Sequence, residues 1–265
     1  MFKKITMIKT QKRPGRYNIY LDGKYAFALN EDVLIQFHLT KGMELDEEAI
    51  VQLKQADQVA QAKSRAIDYL SRQLRSEREV RIFLQTFELK ATDEQAIIAK
   101  LKELNLLNDL NYAQSYVRTQ ARLSDKGPKY LQQKLLQKGI APALITQALM
   151  EFAPADQIVN GSKLAEKLAR RYQKDPFRIQ MQKIKRGLYQ KGYDNDIIAT
   201  VIDQLNLTQD DDAEYEHLVA YVGKQQNKLA RLAPADRAFK LKQLLYRHGF
   251  ARDAIDRFFA ENNDY

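Results

Sequence analysis

The hexapeptide Leu135-Leu136-Gln137-Lys138-Gly139-Ile140 returns twice, as Leu188-Tyr189-Gln190-Lys191-Gly192-Tyr193 and as Leu245-Tyr246-Arg247-His248-Gly249-Phe250. At one fixed offset each copy is followed by an apolar pair: Leu144-Ile145, Ile197-Ile198 and Ala254-Ile255. Self-similar segments must each solve the same burial problem, so a repeat constrains architecture before any single residue does. A tandem array is expected, and arrays present extended binding surfaces.

Each unit reads as three helices. In the first, a small or apolar residue precedes an apolar pair by three and four positions, which places all three on one helical face. The copies are Ala66…Tyr69-Leu70, Ala113…Tyr116-Val117, Ala165…Leu168-Ala169 and Leu218…Tyr221-Val222. The second helix ends at the repeated glycine, which tolerates the left-handed backbone of a helix stop. The residue after it, Ile140, Tyr193 or Phe250, is placed to fold back over the last turn as in a Schellman cap. Phe177, Met181, Ile184 and Leu188 form one apolar stripe, and Pro128 and Pro234 suit first-turn positions. The third helix carries apolar pairs one turn apart, such as Ile197-Ile198 with Val201-Ile202. An altered earlier copy opens with Ser76-x-x-Glu79, which has the form of a capping box. There Glu88 stands at the glycine position, a loop about 4 residues longer is expected, and the turn should be built differently.

A unit of about 50 residues is too long for tetratricopeptide or ankyrin repeats. Boundaries are expected near 62, 108, 157 and 210. The expected organisation is an N-terminal β-hairpin region with a short helix at 1–45, then a linker helix and first three-helix repeat at 46–108. The second repeat follows at 109–157, the third at 158–210 and the fourth at 211–265. Within the N-terminal region, Asp22-Gly23 lies between the aromatic-rich runs Tyr17–Leu21 and Tyr25–Leu29, the signature of a tight hairpin. A basic loop, Gln11–Arg16, precedes it, a helix follows at about Glu31–Phe37, and Lys41-Gly42 marks a turn. The fold class is therefore mainly α: tandem three-helix repeats in an elongated array, with a small N-terminal antiparallel sheet.

The 265 residues contain no Cys, which excludes disulfides, thiolate metal sites and a Cys nucleophile and suits a reducing cytoplasm. No apolar run approaches the ~18 residues of a membrane span, and the start lacks the apolar stretch of a signal peptide. No membrane partner is expected, and a cytoplasmic monomer is. The net charge is +9, and residues 109–207 alone contribute +7 of it. A centred basic excess suits a polyanionic partner.

Catalytic chemistry is hard to find. His38, His217 and His248 lack metal-ligand spacing. His248 reads as a helix-end residue. Asp210-Asp211-Asp212 reads as a solvated linker that favours the next helix start rather than as a cation cage. Pro14-Gly15 and Gly127-Pro128 do not sit in strand-to-helix phosphate turns. No nucleophile elbow or framed carboxylate pair appears, so no enzyme, metal or cofactor is expected.

The positive signal is a set of basic stripes. Lys163, Lys167, Arg170 and Lys174 step along one predicted helix beside the apolar stripe through Leu164, Leu168 and Tyr172. Arg118 and Arg122 lie one turn apart in the preceding unit. Lys183 and Arg186 pair on a second helix, and Lys126 and Lys129 flank a helix start. One such stripe is ordinary solvated surface. Several in consecutive units form a track suited to phosphates or an acidic protein groove.

These motifs, in this order, resemble the RecX family, bacterial regulators of the RecA recombinase. The similar elements are Leu107-Asn108-Asp109, Tyr112-Ala113, Tyr116-Val117, Lys126-Gly127-Pro128, Leu131, Leu135 and Lys138-Gly139-Ile140. Ala66, Tyr69-Leu70, Arg75-Ser76 and Glu79-Val80 look like the family's first unit. Ile5-Thr6, Gln11-Lys12 and Tyr17 through Phe27 resemble the extension of longer Gram-positive members. The departures are Glu88 and a fourth unit at 208–265. The resemblance implies a non-enzymatic modulator that binds RecA filaments on single-stranded DNA, lies along the filament groove and inhibits recombinase and ATPase activity. The alternative is a helical-repeat protein that binds single- or double-stranded DNA directly through its basic helix faces. A scaffold for unrelated acidic proteins is a third reading.

Overall fold

The structure, a computed structural model, describes residues 1–12, 14–229 and 233–262. Arg13 of the basic loop lies outside them. The chain forms two compact units, Met1–Ala113 with Leu136–Ile145, and Gln114–Leu135 with Thr146–Tyr265.

In the first unit, β1 (Lys3–Thr10), β2 (Arg16–Leu21), β3 (Lys24–Asn30) and β4 (Glu44–Leu45) make an antiparallel sheet in the order β3-β2-β1-β4. Asp22 (φ 49°) and Gly23 (φ 82°) turn the hairpin, both with positive φ as the tight turn requires. The two-residue β4 is too short to show a period in sequence. The short helix α1 (Glu31–Gln36) is capped by Asn30, whose side chain accepts from the Asp32 N–H at 3.0 Å.

A 26-residue helix, α2 (Glu47–Arg72), comes next, capped by Asp46. Its first half packs Leu53 and Ala60 on the sheet residues Ile5, Ile19 and Phe27. Its second half packs Ala62 and Ala66 into a separate core with Val80, Leu84, Ile98 and Leu101. The boundary expected near 62 therefore falls inside one unbroken helix, where the buried face changes partner. Asp57, 5% exposed, holds the helix to the sheet. Its carboxylate accepts from Arg16 at 3.1 Å, from the Asn30 N–H at 2.6 Å and from Gln61 at 2.6 Å.

The helices α3 (Glu77–Gln85) and α4 (Ala91–Glu103) complete the first triplet. Ser76 and Glu79 form the reciprocal capping box. The turn after α3 corrects the expectation of a different, longer loop. Glu88 adopts φ 51°, the same left-handed region as the glycines of the other units. As at Gly139, Gly192 and Gly249, two residues separate it from the next helix. The additional residues are an extra turn at the start of α4, so the apolar pair Ile97-Ile98 lies further along.

The second triplet is α5 (Asp109–Leu123), α6 (Pro128–Gln137) and α7 (Pro142–Leu149), divided between the two compact units. Ala113, Val117, Leu131, Leu135, Ile140 and Ile145 are buried along it. The second unit also holds α8 (Pro154–Arg171), α9 (Phe177–Gln190) and α10 (Asn195–Leu205), packed around Leu164, Ala165, Ile184, Leu188, Tyr193 and Val201. Finally α11 (Asp211–Leu229), α12 (Pro234–His248) and α13 (Arg252–Glu261) enclose Leu218, Val222, Leu241, Leu245, Phe250, Ile255 and Phe258. Asp210 caps α11 by accepting the Ala213 N–H at 3.0 Å.

The recurring Lys-Gly pair ends a helix and also joins triplets. Gly139, Gly192 and Gly249 have φ of 81°, 91° and 97°. The Tyr193 and Phe250 N–H groups donate back to Leu188 and Leu245, each at 3.3 Å, as in a Schellman cap. Each stop also meets the first turn of the preceding triplet's second helix. At the first junction, Ser76 Oγ donates to the Lys138 carbonyl at 2.8 Å and Lys138 Nζ reaches Glu79 at 2.6 Å. At the second, the Gly127 N–H donates to the Lys191 carbonyl at 2.8 Å, and the Lys129 N–H to the Gly192 carbonyl at 3.0 Å. Lys191 Nζ reaches Asp125 at 2.6 Å. At the third, a Cβ on Gly249 would overlap Ile179, and His248 stands where the others have Lys.

Burial, the largest single influence, raises the Glu79 and Asp125 carboxyls, but hydrogen bonds and nearby positive charges, from Lys138 and Arg75 at Glu79 and from Lys191 and Lys126 at Asp125, together outweigh it and hold both below the usual carboxylate range.

Candidate partner-binding faces

The basic faces expected from sequence all lie in the second compact unit. On α8, Pro154 starts the helix, and Leu164, Ala165 and Ala169 turn inward. The opposite face carries Lys163, Lys167 and Arg170, all at the surface. With Glu166 and Arg171 they line an open depression of about 440 Å³. Arg170 and Glu166 approach to 3.8 Å at 82% and 57% side-chain exposure. A pair so solvated neutralises little. Lys163 and Lys167 have no ion-pair partner among the described residues.

Lys174 departs from the expected stripe. The helix stops at Arg171, Tyr172 caps it, and the Asp175 N–H donates to the Tyr172 carbonyl at 2.9 Å in a turn. Pro176 enforces this, because the residue before a proline is driven out of the helical region. Tyr172 is accordingly the cap and not part of the helical apolar stripe.

The other expected residues divide by how far their charge is already used. Lys183 pairs with Asp175 at 2.8 Å and lies 5.1 Å from the Tyr172 ring centroid. Lys129 pairs with Asp194 at 2.6 Å, which raises the lysine pKa. Arg118 pairs with Glu151 at 3.3 Å. Lys126 Nζ sits 4.4 Å from the Tyr130 ring centroid, a cation–π contact. Arg122, Lys174 and Arg186 have no ion-pair partner among the described residues. Arg186 shares a depression of about 400 Å³ with Lys185 and Tyr189. Sequence reading passed over Lys185 and Arg171, although both sit beside residues it had chosen.

A larger cleft of about 820 Å³ in the first unit is lined by Glu77, Arg81, Lys102 and Asp109, among others. Its ions serve one another. Arg81 bridges Glu77 at 2.7 Å and Glu94 at 2.9 Å, and Lys102 binds Glu77 at 2.5 Å. Asp109 accepts the Glu77 N–H at 2.8 Å, and burial raises its pKa. That network fixes the start of α3. Among the described residues no group of three or more His, Asp or Glu is arranged to hold a metal ion. No described helix is long and apolar enough to cross a membrane.

Three-helix modules joined by repeated junctions, with charge displayed on helix faces, define a helical-repeat protein. The family comparisons give the particular family. The RecX N-terminal domain matches residues 3–46, the second RecX three-helix domain residues 108–149 and the third residues 156–202. The regulatory protein RecX of Levilactobacillus brevis is 46% identical over 257 residues, covering 97% of each chain. That of Limosilactobacillus reuteri is 42% identical over 252 residues, covering 95% of this chain and 96% of its own. A crystal structure of a regulatory protein RecX is 46% identical, with a TM-score of 0.71, over 76% of this chain and 99% of its own. The chain belongs to the RecX family of regulatory proteins.

Proposed function

We propose that the protein binds RecA filaments assembled on single-stranded DNA, lies along the filament groove and inhibits recombinase and ATPase activity. Family membership supports this reading. The structural observation that carries it is the α8 face, where Lys163 and Lys167 project without acidic partners among the described residues beside Arg170 and Arg171. Cations kept free at the surface serve an anionic partner better than they serve the fold. Contacts from several modules raise effective affinity without strong single sites. Bridging neighbouring subunits inhibits turnover if the protein binds one filament state more tightly than the others.

The test is RecA ATP hydrolysis and strand exchange with added protein, alongside binding to RecA-coated and bare single-stranded DNA. Inhibition at saturating occupancy with tighter binding to coated DNA is expected. Full activity at saturation would remove the reading. Direct DNA binding is the second reading, favoured by the same unpaired cations. It predicts equal affinity for bare DNA and a steep loss with salt.

A further inference from the structure

The second residue of the recurring hexapeptide points outward in every copy. Leu136 is 45% exposed, Tyr189 60% and Tyr246 44%, while the preceding leucines, Leu135, Leu188 and Leu245, are fully buried. A single exposed apolar side chain is ordinary surface. The same helical position exposed in three successive triplets, filled by Leu, Tyr and Tyr, indicates a recurrent contact. On α12 the contact lengthens, since Phe239, 67% exposed, lies two turns before Tyr246 on the same face.

The surroundings of Tyr189 indicate what would cover it. Ile198 and Ala199 of α10 supply an apolar floor to its depression, and Lys185 and Arg186 supply a cationic wall. Neither cation has an ion-pair partner among the described residues. An apolar floor beside unpaired cations complements an apolar side chain flanked by carboxylates. A nucleobase would also stack on tyrosine, but the leucine at the equivalent position of the second triplet has no ring for stacking.

We infer that Leu136, Tyr189 and Tyr246 are equivalent apolar anchors that dock apolar-anchored protein segments, one per module, and that the segment at Tyr189 is acidic, its carboxylates held by Lys185 and Arg186. This rests on the filament reading above, and assigns the segments to successive filament subunits.

The test uses the full chain with Tyr189→Ala and Tyr246→Ala together, and separately with Lys185→Glu and Arg186→Glu. The probes are a RecA filament on a labelled single-stranded oligonucleotide and the bare oligonucleotide. Both variants should bind the filament at least about tenfold more weakly, the effect of losing buried anchors at an interface. The tyrosine variant should keep its affinity for the bare oligonucleotide and its melting curve, and the Tyr→Phe pair should retain filament binding. Unchanged filament affinity in the alanine variant, with the unaltered protein bound, would overturn the anchors alone. An equal loss on the bare oligonucleotide would assign the anchors to nucleic acid and overturn the protein occupant. Failure of the unaltered protein to bind the filament would overturn the filament reading and this inference with it.

Discussion

Gly192 carries two constraints at one atom. Its φ of 91° disfavours any side chain, and a Cβ there would lie 2.5 Å from the Tyr130 backbone nitrogen. The first is a local requirement, legible from a glycine at a helix stop. The second depends on which turn the stop meets, and nothing in the hexapeptide reveals it. Gly192→Val should therefore cost more than a cap alone, about 2–4 kcal/mol by urea unfolding. A cost under about 1 kcal/mol would show that the junction yields. Asp57 is the other residue on which much depends. Sequence reading placed it on an anonymous helix. It proves to be a buried carboxylate satisfying three donors. Asp57→Ala should cost about 3 kcal/mol and loosen the sheet from α2, because it leaves the Arg16 charge and the Asn30 N–H unmatched. Amide exchange across β2 and β3 would report it.

At the scale of elements, the three junctions share geometry and differ in charge. Lys138 and Lys191 meet carboxylates, whereas His248 lies against Tyr221 and Phe250, with ring centroids 4.1 and 5.4 Å away. Burial lowers the His248 pKa below 6.5; nearby Asp175 opposes that shift and Lys183 adds to it. The unfolded chain then takes up the proton more readily than the folded one. The contribution of neutral His248 is thus fully present above about pH 6.5 and is lost as pH falls through the folded value. The depressed carboxyls Glu79 and Asp125 keep theirs until pH falls into the ordinary carboxylate range, and lose it from there down through their folded values. Between pH 7.5 and 5.5, amide protection in α12 should fall while that in α3 and α6 holds. His248→Gln should abolish the difference. Local chemistry was also overruled at Glu88. A missing glycine suggested a different loop, yet the backbone takes the same left-handed step, because ending α3 and burying α4 outweigh one residue's strain.

For the whole molecule, the basic faces supply the expected outcome in binding. Reversing Lys163, Lys167 and Arg170 to Glu should weaken filament binding by about tenfold or more at low salt. It should leave helicity unchanged, since none of the three packs in a core. Unchanged binding would take α8 out of the interface. Lys183, Lys129 and Arg118 should matter less when reversed singly, because each charge is already matched by an acid within the fold.

Helical period, hairpin chemistry and glycine stops are properties of neighbouring residues, so the chain alone was enough to read a three-helix repeat behind a small sheet. The same locality explains why the basic stripes were found, and why Lys174 was carried past the end of its helix. Which cations remain free was decided only when folding brought Asp175, Asp194 and Glu151 to three of them. The Lys-Gly pair became a junction only when the preceding triplet supplied Glu79, Asp125 and the first turns of α3 and α6. Ion pairing and close approach depend on distance in space, and residues some 60 positions apart come within 3 Å only through tertiary packing.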